Sequence, residues 1–248
     1  MRLTARQRAS WLAHVFKAAT RRHHRELRGL FAPHIPTDAV IVDIGAHAGQ
    51  FSKLFARMAP CGHVFAFEPS AYARSVMEPA LRINRIGNVT LIPMGLSDAA
   101  GEVTLHTPIK RRRSLGFGLA HLGGNDGPAL DQRIALTTLD AFAERQEMGR
   151  LDFIKADIEG WELRALKGGE ATLRRFAPAL YLEVDGACLA RAGDTPEGLF
   201  VWLAALGYQG FTTPEARPAP AYEGRGDYLF VVGKEATVRE SRDIDRPS

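Results

Sequence analysis

The chain has 248 residues, of which 46% are hydrophobic and 24% charged, with a formal net charge of +4. That length and apolar content suit one α/β domain with a continuous core, and the scattered 24 glycines and 14 prolines exclude collagen-like and disordered classes. Cys61 and Cys188 are the only cysteines and lack metal-ligand spacing, which excludes a disulfide framework or structural zinc and leaves both expected as buried thiols.

From Arg6 to about Phe31, Trp11, Leu12, Val15, Phe16 and Ala19, then Leu27, Leu30 and Phe31, recur at helical spacing. Residues 1–37 therefore predict one or two basic amphipathic helices, in which Arg2, Arg6, Arg8, Lys17, Arg21, Arg22, Arg25 and Arg28 face only Glu26. A solvated helix face accounts for such a run without a partner; peripheral contact with an anionic membrane, nucleic acid or an acidic substrate are the readings that would use it. No apolar stretch approaches the roughly 20 residues of a membrane span, and the start lacks a signal-peptide core, so a cytoplasmic protein is expected.

Residues 38–234 alternate short β-branched runs with helical patterns. Val40–Ile44, Val64–Phe67, Val89–Met94, Leu151–Ala156 and Pro178–Val184 read as buried parallel strands, and Tyr208–Thr212 with Asp227–Val232 as a closing pair. Helices are expected at 51–58, around 76–83, at 138–145, through Leu163–Leu173 and at 196–206. The pattern is that of an α/β, doubly wound, mostly parallel seven-stranded sheet with an N-terminal helical extension. After a hairpin strand at 102–106, the stretch from about 107 to 135 is expected as a long loop facing the substrate, and 235–248 as a frayed tail.

The turn after the first strand reads Asp43-Ile44-Gly45-Ala46-His47-Ala48-Gly49-Gln50 and enters a helix, so a ligand can approach its backbone. A dinucleotide fingerprint needs glycine where His47 and Gln50 stand, which disfavours NAD. What remains, a carboxylate at the strand end beside Gly45, Ala46, His47 and Gly49, suits a cationic or amine-bearing ligand. The second strand ends on Glu68-Pro69, where a carboxylate in this fold accepts hydrogen bonds from both ribose hydroxyls. Asp43 and Glu68 together match the S-adenosylmethionine site of class I methyltransferases, Asp43 serving the methionine amino end and Glu68 the ribose. Ser97 and Asp98 follow the third strand as candidates for the adenine end, a plain turn being the alternative.

A second block, Asp157-Ile158-Glu159-Gly160-Trp161-Glu162, follows the fourth core strand. With the first turn, Phe67-Glu68-Pro69 and Leu180-Tyr181-Leu182-Glu183-Val184, it resembles the FkbM-type methyltransferase family over roughly residues 38–233. The resemblance implies a Rossmann-like class I methyltransferase fold, S-adenosylmethionine as cofactor and methylation of hydroxyl groups on polyketides or sugars. His47 departs from the pattern, since Asn is frequent there in the family. A weakly acidic hydroxyl acceptor needs alignment and a general base. Asp157 is the first choice for that base and a further cofactor contact, Glu159 is the second, and Glu183 is placed to orient the acceptor hydroxyl; helix capping by Asp157 or Glu159 is the structural alternative. A divalent metal such as Mg²⁺ on these acids is the less favoured reading.

Lys110–Arg113 offer a grip for an acidic acceptor, and His106 and His121 an alternative base. The acceptor is expected to be a small molecule or glycan. An RNA methyltransferase would use the basic segments, but no base-flipping motif or aromatic platform follows the fourth strand. A non-catalytic S-adenosylmethionine-binding protein is the remaining alternative.

Overall fold

The computed structural model describes residues 5–21, 23–108 and 129–233. From the N-terminus, α1 (Ala5–Thr20), a 3₁₀ turn (Arg25–Leu27) and α2 (Arg28–Phe31) precede β1 (Val40–Ile44), α3 (Gln50–Met58), β2 (His63–Phe67), α4 (Ala71–Ile83) and β3 (Val89–Ile92). A side excursion follows through β4 (Gly95–Leu96), β5 (Gly101–Pro108) and β6 (Ala129–Thr137). The alternation resumes with α5 (Leu139–Arg145), β7 (Phe153–Ala156), α6 (Glu162–Lys167), α7 (Glu170–Phe176), β8 (Ala179–Val184), α8 (Gly186–Ala192), α9 (Pro196–Ala205), β9 (Tyr208–Thr212) and β10 (Gly226–Val232).

Seven of these strands form one sheet in the order β3-β2-β1-β7-β8-β10-β9, with β10 antiparallel to both its neighbours and the rest parallel. The chain winds outward from β1 in one direction and from β7 in the other, so the switch point lies between these two strands. Sheets of this kind bind ligands there, beyond the strand C-termini. Register makes the edge level: Ile44 pairs with both Phe67 and Ala156. The residues that follow, Gly45, Glu68 and Asp157, therefore emerge side by side.

Helices cover both faces, which is why β1 and β7 are buried throughout except at Val40. Their starts are capped as the local sequence dictates: Ser70 accepts from Ala73 N at 3.3 Å, Thr138 from Ala141 N at 3.1 Å, and Thr195 from Gly198 N at 3.0 Å ahead of Pro196. On one face Phe31 is fully buried, with ring centroids 5.2 Å from Phe153 and 4.9 Å from Tyr181. Truncating such a side chain costs roughly 3–5 kcal/mol, so the N-terminal segment is pinned to the core of the sheet. α1 packs in turn on α4, where Val15 and Ala18 meet Val76 and Ala80 and Trp11 Nε1 donates to Ser75 Oγ at 3.1 Å.

Several expectations change. The region from 107 to 135 is not one loop: β5 runs to Pro108, β6 begins at Ala129, and the two pair antiparallel beside β4 as a second, three-stranded sheet. Residues 109–128, with Lys110–Arg113 and His121, lie outside the described residues, as do the His106 side chain, Arg2, Arg22 and the tail from 234. The helix expected through Leu163–Leu173 is two, α6 and α7, separated at Gly168-Gly169. α8 was not expected, because seven residues give too little periodicity to detect. Cys61 is exposed, since it sits in the turn before β2; only Cys188 is buried. Among the described residues, no helix is long and apolar enough to cross a membrane.

Candidate active site

The turn after β1 closes tightly against the turn after β7. Gly45 has φ 75°, and a Cβ there would stand 2.2 Å from the Asp157 carbonyl oxygen, so only glycine permits this approach. Gly45 N and Ala46 N both donate to Phe67 O at 3.0 Å, tying the turn to the end of β2. Gly49, at φ 78°, then starts α3 in the left-handed region. These contacts hold the backbone of His47 (φ 51°) above Glu68.

Glu68 is 6% exposed and is held from two sides: Oε2 accepts from His47 N and Oε1 from Ser70 N, each at 2.7 Å. Burial raises its pKa, while these two N–H donors act in the opposite direction. Each oxygen keeps a further lone pair, so the carboxylate still has acceptor capacity toward the cleft.

Beneath the turn lies Lys155, an ammonium buried in the middle of the sheet at 2% exposure. Nζ donates to Gly45 O at 2.9 Å and Ile44 O at 3.2 Å, and lies 3.5 Å from Asp43 Oδ1 and 3.7 Å from Asp157 Oδ2. Burial acts to lower its pKa, but Asp157 and Asp43 outweigh burial and leave it raised, so the lysine is charged. Asp43 is wholly buried, accepts from Ser52 Oγ and faces Lys155 rather than the cleft. Its position is thus one layer below the direct ligand contact expected for it, because the strand's alternation turns its side chain inward.

Three acids of the second block take three different environments. Asp157 is half-buried at the cleft. Burial works to raise its pKa, but Lys155 and a hydrogen bond from Glu183 outweigh burial and leave it lowered, so it is ionised. Glu183, at the end of β8, is pushed up to about 8 by burial and by the same contact with Asp157. At neutral pH the protonated Glu183 therefore donates to the Asp157 carboxylate, and the two titrate as a pair. Arg225 approaches Glu183 at 3.4 Å, and Asp227 pairs with it across β10 and β8. Glu159 has φ 55°, is raised by burial, and accepts from Cys188 Sγ at 3.5 Å. Glu162 is 2% exposed, accepts from Ile158 N at 2.9 Å and Gly160 N at 3.2 Å, and is raised by burial to about 7. Glu162 thus holds the turn, and neither Asp157 nor Glu159 caps α6.

Between these groups runs a cleft. Gly45, His47, Glu68, Pro69, Asp157 and Glu159 line one part, and Phe67, Met94, Leu96, Leu105, Ile134 and Trp161 form an apolar part. Ala46, Gly49, Ser97, Asp98 and Glu183 are not in its wall. Ser97 instead accepts from Trp161 Nε1 at 3.0 Å and positions that ring, while Asp98 is exposed. The cleft thus brings together Gly45, His47, Glu68, Pro69, Asp157 and Glu159 of the residues picked from sequence. Lys155 and Trp161 were missed; a lysine inside the fully buried run Phe153–Ala156 was the available signal for the first.

Among the described residues the lining holds three carboxylates and no lysine or arginine. Its field favours a cation over a pyrophosphate. His47 Nε2 is buried without a hydrogen-bond partner, and burial and Lys155 lower its pKa, so the ring is neutral. An acidic, partly apolar cleft with one such orphaned nitrogen fits a positively charged nucleoside. Among the described residues, no group of three His, Cys, Asp or Glu side chains is arranged to hold a metal ion.

A parallel sheet of this order, with a cleft at its switch point, is the class I methyltransferase fold. The chain belongs to the family of the methyltransferase FkbM domain, whose model matches residues 43–209. It is 26% identical over 166 residues to the 2-O-methyltransferase NoeI of Sinorhizobium fredii, covering 61% of this chain and 65% of that protein. It resembles the crystal structure of methyltransferase FkbM from Methylobacillus flagellatus with a TM-score of 0.51 at 16% identity, covering 89% of this chain and 58% of that one. It resembles cofactor-bound Rv0187 from MTB with a TM-score of 0.51 at 14% identity, covering 90% and 88%. The last two are likenesses of fold. The chain spans less than two thirds of the length of the curated relatives it matches.

Proposed function

We propose that the chain is an S-adenosylmethionine-dependent O-methyltransferase acting on a hydroxyl of a sugar, glycan or small metabolite. The observation that carries this reading is the cleft lined by Glu68 and Glu159 that ends at the ionised Asp157. Glu68 would hold the ribose, the Gly45 turn and His47 the methionine end, and Leu96, Leu105 and Ile134 the adenine. When bound, the cofactor supplies a methyl group on a positively charged sulfur, already electrophilic.

The chain's own task is to align the acceptor and receive its proton. Asp157 faces the cleft and accepts the hydroxyl hydrogen. While Glu183 holds its proton, Asp157 is a weak base. Once that proton leaves, near pH 8, two adjacent carboxylates raise each other's proton affinity, and Asp157 becomes a base matched to the task. Activity is therefore expected to rise with pH toward a plateau above about 8. Glu183 acts through Asp157 and is a positioning residue. The name of the 2-O-methyltransferase relative supports a hydroxyl acceptor.

Calorimetry with S-adenosylhomocysteine and NAD, together with radiolabelled methyl transfer to a panel of glycans and hydroxylated metabolites, tests the reading. Asp157→Asn is expected to lower kcat by about 10²- to 10⁴-fold while S-adenosylhomocysteine affinity stays within about threefold. Preference for NAD ends the methyltransferase reading, and unchanged turnover in the variant removes Asp157 as base.

A further inference from the structure

The basic N-terminal segment has no role in the chemistry above, yet the structure folds it into a cavity wall. Arg21, Arg25 and Arg28 from the end of α1 and the helical turns after it meet Lys53 and Arg57 of α3 around one pocket, with His23 at its side. Among the described residues no carboxylate lines this pocket, and Glu26 is the one acid in the sequence between residues 5 and 31.

Part of this cluster has a structural explanation. Lys53 is 3% exposed and donates to Ala18 O and, at 3.2 Å, to Arg21 O, so it caps the C-terminal end of α1 from the pocket floor. Arg57 donates to Asn84 Oδ1 at 2.5 Å. Arg21, Arg25 and Arg28 are exposed, and among the described residues none of their side chains has an ion pair or hydrogen bond. Converging cations repel one another, and burial together with Arg57 lowers the Lys53 pKa. A multiply charged anion relieves that repulsion, and guanidinium forks match phosphate oxygens in bidentate geometry.

The pocket also adjoins the active site through a second cavity. It shares His23 and Gln50 with a second cavity between α1, α3 and α4, and that cavity shares His47 with the cofactor cleft. The next residue, His24, stacks on Phe51 at 4.0 Å in the left-handed conformation, and the Phe51 ring lies 5.4 Å from Lys155 Nζ, itself 3.7 Å from Asp157 Oδ2, which places the segment within a short chain of contacts from the reacting group. We infer that the cluster of Arg21, Arg25, Arg28, Lys53 and Arg57 is a subsite for a phosphate or diphosphate group carried by the methyl acceptor, whose hydroxyl end lies beyond His47 at Asp157. This deepens the O-methyltransferase reading and rests on it.

The test is calorimetric titration of sodium pyrophosphate into the full chain at fixed ionic strength, with and without saturating S-adenosylhomocysteine, for wild type and for the Arg25→Ala/Arg28→Ala double variant, which leaves Lys53 in place. Saturable binding by the wild type, unchanged by S-adenosylhomocysteine and weakened at least tenfold in the double variant, is the expected result. Absence of saturable binding, equal binding by the variant, or displacement of S-adenosylhomocysteine by pyrophosphate overturns it. Retention on phosphatidylserine vesicles or on RNA that pyrophosphate does not compete away assigns the arginines to that partner and also overturns it. Failure of S-adenosylhomocysteine to bind, with pyrophosphate binding intact, instead overturns the methyltransferase reading.

Discussion

Glu183→Gln isolates the carboxyl pair because glutamine copies the protonated form at every pH. In the folded chain the wild-type carboxyl keeps its proton until about pH 8, against an ordinary value of 4.5 in the unfolded chain. The sign follows from proton uptake. Between these two values the folded state binds more protons than the unfolded state, so stability falls as pH rises through that window and the loss is complete above about 8. Carrying a carboxyl from 4.5 to about 8 corresponds to a ceiling of about 5 kcal/mol. The side chain is 27% exposed and Arg225 stands beside it, so water and the guanidinium reduce the expected figure to roughly 2–3 kcal/mol. The variant escapes this loss. For a chain of this size each kcal/mol moves Tm by roughly 2–4 °C, and the variant is expected to melt roughly 5–10 °C above wild type at pH 9 and within about a degree of it at pH 4.5. Scanning calorimetry across this range reads the difference directly. A gap that stays constant with pH, or that closes at high pH, refutes the shared-proton pair. The same variant is expected to lose the rise in kcat toward high pH, whereas a purely structural role would leave that profile unmoved.

Two further outcomes follow from the packing beneath the cleft. Lys155→Met leaves Asp43 buried without its cation, which is expected to lower the unfolding free energy by about 3–5 kcal/mol in urea denaturation; a loss under about 1 kcal/mol would show that the lysine is not the counterion. Gly45→Ala puts a Cβ 2.2 Å from the Asp157 carbonyl at a φ of 75°, so the base must move. A fall in kcat of about 100-fold is expected from such a displacement, and a variant with wild-type kcat would mean the two turns are free to separate.

The parallel sheet was legible because largely buried strands read as short, mostly apolar runs, as at Val40–Ile44 and Ala179–Val184. β6 was not, since Asp131, Gln132 and Arg133 interrupt it; the strand belongs to a small sheet that keeps one face in water, and its polar residues read as loop. In the site, spacing placed Glu68 and Asp157 on one edge, because strand ends in this topology are level whatever the side chains. Depth was not legible: whether Asp43 points up to a ligand or down to Lys155 depends on strand alternation and on a charge more than a hundred positions away. The proton shared by Asp157 and Glu183 was equally hidden, for it arises from two strands meeting rather than from either sequence block.

The antiparallel placement of β10 gives that pair a control point remote from the cofactor loops. Asp227 on β10 sits opposite Glu183, and Arg225 just before that strand touches it; neither lines the cleft. On the proposed mechanism, exchanging either charge is expected to retune the pH at which activity rises while leaving S-adenosylhomocysteine affinity unchanged. A protein built this way can be adapted to acidic or alkaline surroundings from its outermost hairpin.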